Sequence, residues 1–194
     1  MRDDGIDLLL SSSARRVVRT VDGGVQLTVT TPDGERILDG SHLLVAVGRT
    51  PNSDRLNLAA AGVATDKRGA IVVDERLATN VPGIYATGDV TGGSAFTHIS
   101  YDDYRILKAN LLEGGERTTR NRIVPYTIFT DPQLGRVGLS EEAARAEGRS
   151  IKVFTMPMSA VARAIETGET RGLMKAVVDA QTDQILGFTM LGIE

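Results

Sequence analysis

The sequence predicts an α/β segment followed by an α+β segment. Three observations carry that expectation. A β-meander opens the chain, with strands at 16–21, 25–30 and 35–38. Two continuous apolar runs, 43–47 and 84–87, read as buried strands, and the second leads through Gly88-Asp89 into a helical pattern at 97–112. The last seventy or so residues then alternate strands with a helix that begins at Ser140.

The meander rests on turn chemistry. Arg16-Val17-Val18-Arg19-Thr20-Val21 and Val25-Gln26-Leu27-Thr28-Val29-Thr30 flank Asp22-Gly23-Gly24, a hairpin signal. Pro32-Asp33-Gly34 turns the chain again. The run Leu43-Leu44-Val45-Ala46-Val47 lacks polar alternation, as in a strand covered on both faces and often paired in parallel. A short helix is expected at 56–61, ending at Gly62, and a strand at 71–74. The helix at 97–112 places Ile99, Tyr104, Leu107 and Leu111 on one face and stops at Gly114-Gly115. The polar stretch 116–122 reads as a linker. Beyond it, strands are expected at 124–129, 151–156, 172–179 and 184–191, with Ser140 capping a helix that Gly148 ends.

Composition narrows the chemistry. The 194 residues carry a net charge of −3 and contain no cysteine. Thiolate metal sites, disulfides and cysteine nucleophiles are thereby excluded from this chain. The acidic balance offers no general attraction for nucleic acid or an anionic membrane, and no apolar run approaches the ~20 residues of a membrane span. The acidic N-terminus does not resemble a secretory signal, so a cytoplasmic location is expected.

The candidate site is Ile84-Tyr85-Ala86-Thr87-Gly88-Asp89-Val90. A strand that delivers a carboxylate at its C-terminal end, beside a glycine permitting close backbone approach, suits ligand binding in an open α/β sheet. Asp89 could accept from a sugar or sugar-alcohol hydroxyl; an aspartate after a strand is also a common turn or cap residue. The helix beginning at Thr97 presents unpaired amides and partial positive charge, fit for an electron-rich oxygen, although an ordinary helix start reads the same way. His42 and His98 are the two histidines. The first reads as solvent-facing, the second as a cleft-lining residue without a catalytic role. Arg49 reads as a structural ion-pair residue, with a functional contact as the alternative. No residue is assigned as catalytic or as a metal ligand.

These residues carry a resemblance. Ala46-Val47-Gly48-Arg49-Thr50-Pro51-Asn52 and Tyr85-Ala86-Thr87-Gly88-Asp89-Val90 resemble the central signatures of the pyridine nucleotide-disulfide oxidoreductases, the family of glutathione reductase, dihydrolipoamide dehydrogenase and mercuric reductase. The segment from Pro125 to Glu141 resembles the opening of that family's interface domain. Phe96-Thr97-His98-Ile99-Ser100-Tyr101-Asp102-Asp103-Tyr104-Arg105-Ile106 and Arg171-Gly172-Leu173-Met174-Lys175-Ala176 are similar to the reactive-chlorine-resistance and hypothiocyanite-reductase branch.

The resemblance implies an α/β plus α+β architecture in three parts. Residues 1–50 would be the tail of a Rossmann-like NAD(P) domain, 51–118 the second half of an FAD domain, and 122–194 part of a dimerisation domain. It implies FAD as cofactor and NAD(P)H as reductant of the parent enzyme, with a homodimer formed through 122–194. Asp89 and its neighbour Gly88 would meet the FAD ribityl chain, the Thr97 backbone N–H the flavin pyrimidine edge, and Gly48 the nicotinamide cofactor. Against the family pattern, these residues hold no redox cysteine pair, no G-x-G-x-x-G and no C-terminal His-Pro-Thr. Both ends are therefore expected to be cut, and the isolated chain is expected to be inactive. A non-catalytic dimerisation fragment is the alternative.

Overall fold

The computed structural model describes residues 1–193 and divides into two compact units, 1–49 and 50–194. The first unit is the expected meander. Strands β1 (Ser13–Arg19), β2 (Val25–Thr31) and β3 (Gly34–Gly40) form an antiparallel sheet in that order. The Asp-Gly-Gly turn closes the hairpin at the pair Arg19↔Val25, with the Thr20 N–H donating to the Gly24 carbonyl at 3.0 Å. Val29 is buried at the centre of β2. The expected strand at 43–47 is not formed. It has no ladder partner among the described residues, and Leu44 and Val47 are each 88% exposed. A fully apolar strand is stable only when neighbours pair its backbone and cover both faces.

In the second unit, residues 50–96 are built from turns around a small core. Val63, Ile71 and Ala86 are buried there, with Leu58, Val73, Val81, Ile84 and Val90 packed against them. The helix expected at 56–61 is a series of turns. Asn57 takes a left-handed φ of 51°, and Ala60, Ala61 and Gly62 each donate three residues back. The left-handed Asn57 breaks the run of helical dihedrals near its start, which leaves single turns. The strands expected at 71–74 and 84–87 reduce to single antiparallel bridges, Thr65↔Ile71 and Ala78↔Tyr85. Their inward side chains are buried as anticipated, but no continuous ladder runs beside them.

Helix α1 (Thr97–Leu112) has the expected bounds. Its buried face is Ile99, Asp103 and Ile106, whereas Tyr104 and Leu111 are about half exposed, at 51% and 52%. The i, i+4, i+7 spacing of the buried set defines one face, and a carboxylate occupies its middle. The stretch 116–122 is tethered rather than free: Asn110 bonds both backbone groups of Arg117, and Arg120 makes a two-pronged contact with Glu75 at 2.9 and 2.7 Å.

The remaining elements form a five-stranded antiparallel sheet, β4 (Tyr126–Ile128), β5 (Leu134–Gly138), β6 (Ile151–Pro157), β7 (Leu173–Asp179) and β8 (Ile185–Leu191), in the order β4-β5-β8-β7-β6. Strand β5, not anticipated, fits Gly138 so tightly that an added Cβ would stand 2.3 Å from the Leu186 carbonyl oxygen. Two short helices, α2 (Glu141–Ala146) and α3 (Ala162–Thr167), accompany the sheet; α2 packs beside β6. A cross-strand row of Val137, Phe188, Ala176 and Phe154 runs across the sheet, and its three large side chains are exposed.

Candidate functional site: a glycine turn on the start of α1

The turn carrying Asp89 is a 3-10 segment, Gly88–Thr91, preceded by extended Thr87. Gly88 sits at φ 70°, a left-handed conformation in which a side chain is strained. Space enforces the same choice, since a Cβ there would lie 2.8 Å from the Ser100 Oγ. The turn is thus pressed against the first turn of α1. The Gly88 N–H donates to the Asp103 carboxylate at 2.8 Å, and the Thr91 hydroxyl donates to the Gly88 carbonyl at 2.8 Å. Asp89 itself is exposed at the outer side of the turn, and its carbonyl accepts from the Gly92 N–H.

Thr97 is the first helical residue, following Phe96 in extended conformation. Phe96 provides no side-chain cap, and the first turn contains no acidic residue. A helix start of this kind keeps its positive end available to an outside acceptor. It borders a cleft of about 840 Å³ whose lining includes Phe96, Thr97, His98, Tyr126, Arg136 and Phe188. Rings stack along one edge: His98 on Phe96 at 5.4 Å, and Phe96 on Tyr126 at 5.5 Å. The Arg136 guanidinium lies 5.9 Å from the Tyr126 ring centre and donates to its hydroxyl at 3.2 Å. The Arg136 Nε is buried without a partner, a donor the cleft does not itself satisfy.

The second unit therefore brings Gly88, Asp89 and Thr97 onto neighbouring parts of one structure, the Gly88–Thr91 turn and α1. Gly48 belongs to the first unit, where it is exposed at φ 114° with open space around its α-carbon. His42 is exposed, as anticipated, beside the Ser41 hydroxyl. The sequence reading missed Asp103, only 2% exposed, and its partner Arg122, whose Nη1 lies 2.5 Å from the Asp103 Oδ1. For Asp103 the signal was available, since it lies four after Ile99 and three before Ile106 on the face that buries both; for Arg122, in a stretch that reads as linker, it was not.

The model of the pyridine nucleotide-disulphide oxidoreductase family matches residues 1–103, and the model of that family's dimerisation domain matches residues 124–194. The chain belongs to the pyridine nucleotide-disulphide oxidoreductases. Members of this family are FAD-dependent flavoproteins that use pyridine nucleotides. The chain is 43% identical over 195 aligned positions to the probable pyridine nucleotide-disulfide oxidoreductase RclA of Escherichia coli K12, covering 100% of itself and 43% of that protein. It is 38% identical to the mercuric reductase of Lysinibacillus sphaericus, over 95% of this chain and 34% of the relative. The solved structure of the HOCl-induced flavoprotein disulfide reductase RclA from Escherichia coli superimposes with a TM-score of 0.85, covering 100% of this chain and 43% of that one. The chain thus spans less than half the length of these relatives. Its architecture is that of the family's FAD-binding and dimerisation parts, as the sequence led one to expect. No helix among the described residues is long and apolar enough to cross a membrane, and no group of three or more His, Cys, Asp or Glu residues among them could hold a metal ion.

Proposed function

We propose that this chain supplies the ribityl and flavin-edge side of an FAD site, within an oxidoreductase that takes hydride from NAD(P)H and delivers reducing equivalents to a disulfide, an oxidant or a metal ion. The observation that carries the reading is the uncapped, acid-free start of α1, with the Gly88–Thr91 turn seated against it. The donor set fits the group. Asp89 offers an exposed carboxylate for a ribityl hydroxyl, and Gly88, buried against α1, is assigned to the ribityl side through the turn that carries Asp89. The Thr97 N–H suits the electron-rich pyrimidine edge. Bound FAD would supply the two-electron chemistry; the residues here bind and orient it. Gly48, at the end of the 43–47 run, is assigned to the nicotinamide side.

The division follows the same reading. Residues 1–50 are assigned to the NAD(P) domain, 51–118 to the FAD domain and 122–194 to the dimerisation domain. The exposed row Val137, Phe188 and Phe154 supports pairing of two copies through the last of these. The mercuric reductase relatives, and the solved Cu(II) complex of the Escherichia coli flavoprotein, favour metal ions among the substrates to be tried.

By themselves these 194 residues contain no cysteine and no glycine fingerprint for a pyrophosphate. A protein of these residues alone is expected to bind FAD weakly and not to turn over. The test is an FAD titration followed by flavin fluorescence, with NADH and NADPH oxidation measured in parallel. Saturable binding that Asp89→Ala weakens supports the assignment. Binding indifferent to Asp89→Ala refutes the residue's role, and steady NADH oxidation refutes the expected inactivity.

A further inference from the structure

We propose that Asp103 is the positioning residue of the cofactor turn: its buried carboxylate, held by Arg122, fixes the Gly88 N–H and so sets where Asp89 presents its own carboxylate. The inference deepens the flavin reading and rests on it. A carboxylate in the middle of an apolar helix face is costly to bury, and the cost is met only by well-formed partners. Both partners are in place. One carboxylate oxygen accepts from the Gly88 N–H at 2.8 Å, and the other meets the Arg122 guanidinium at 2.5 Å. Arg122 also reaches Asp102 at 3.4 Å, so the guanidinium is held between neighbouring carboxylates.

The geometry makes this more than a packing contact. Ser100 and Asp103 are one turn apart on the same side of α1. Ser100 stands where a side chain on residue 88 would have to go, while Asp103 accepts from the Gly88 amide. Two fixed points on one helix leave the turn little freedom to rotate. Asp89 is the next residue and is exposed, so the position of its backbone follows from where the Gly88 amide is held. Arg122 comes from the segment that leads into β4 and holds the second carboxylate oxygen of Asp103. A hydrogen bond to a charged acceptor is stronger than a neutral one, which is what holding a φ-positive turn requires.

The test uses the 194-residue chain with Asp103→Ala, Asp103→Asn and Arg122→Met. Amide hydrogen exchange is followed at Gly88 and along α1, and FAD affinity by flavin fluorescence. In Asp103→Ala, Gly88 should exchange roughly tenfold faster or more, and FAD should bind roughly tenfold more weakly, with protection in the last two turns of α1 retained. Asp103→Asn keeps an acceptor of the same size and should recover part of both effects. Arg122→Met should fall between them. Unchanged Gly88 exchange in a folded Asp103→Ala chain overturns the proposal, as does an equal loss of protection along all of α1, which would mark a purely structural residue. Should Asp103→Ala fail to fold, Asp103→Asn decides, and unaltered Gly88 exchange there is equally fatal. If the unsubstituted chain shows no FAD binding, the flavin reading fails, while the Gly88 response still decides whether Asp103 holds the turn.

Discussion

Helices α1 and α2 begin in opposite ways. At α2 the Ser140 hydroxyl accepts from the Ala143 N–H at 2.9 Å, and Glu141 and Glu142 add negative charge in the first turn. At α1, Phe96 provides no cap, no acid follows, and the helix start borders an open, ring-lined cleft. The α2 start is satisfied from within the chain. The α1 start is the longer helix's positive end, and its first turn holds no acidic residue. A helix that forgoes about 1 kcal/mol of capping and a favourable dipole partner keeps that end for an acceptor from outside. Under the proposed flavin reading, the contrast separates a helix start that stabilises from one that binds.

The largest expected effect comes from removing one donor at the binding start. Proline is tolerated at the first helical position, and Phe96 before it is already extended, as a residue preceding proline must be. Thr97→Pro therefore deletes the N–H while keeping α1. FAD affinity should fall roughly tenfold, with the unfolding midpoint little changed. Equal FAD affinity in the two chains would erase the distinction between the helix starts. The mirror experiment, Ser140→Ala, should cost about 1 kcal/mol of stability in denaturant unfolding and leave FAD affinity alone. A drop in FAD affinity as large as that from Thr97→Pro would show that both ends act only through stability.

The same contrast marks what the sequence could reveal. Local signals were legible: the Asp22-Gly23-Gly24 hairpin, the bounds of α1 and the Ser140 cap each depend on neighbours in the chain, and each is present. Signals that depend on distant partners were not. The runs 43–47, 71–74 and 84–87 have strand composition, yet a strand exists only where another backbone pairs with it. Gly88 and Thr97 could be located because a glycine after an apolar run and a helix start are local features. The Asp103–Arg122 pair could not, because Arg122 lay in a stretch read as linker and its partner is nineteen residues earlier. On α1, the apolar pattern puts Tyr104 on the buried face, whereas Tyr104 is 51% exposed and the hydrogen-bonded Asp103 is buried instead.

The smallest expected effect concerns pH and sharpens the account of the α2 start. Glu141 bonds Lys175 on β7 at 2.6 Å and Arg145 at 2.8 Å. The Lys175 hydrogen bond, followed by that of Arg145, lowers the Glu141 carboxyl below its ordinary value of 4.5. A group whose pKa is depressed on folding stabilises the folded state above its unfolded value. That contribution is lost as pH falls through the folded value. Since the pair is partly exposed, solvent and salt screen it and the effect is modest. Unfolding midpoints measured from pH 7 downward should therefore show Glu141→Gln slightly less stable than the parent near neutrality. The difference should close in acid, below 4.5, and shrink in high salt. A difference that persists unchanged into acid would mean that Glu141 acts through packing, and that Ser140 alone secures the start of α2.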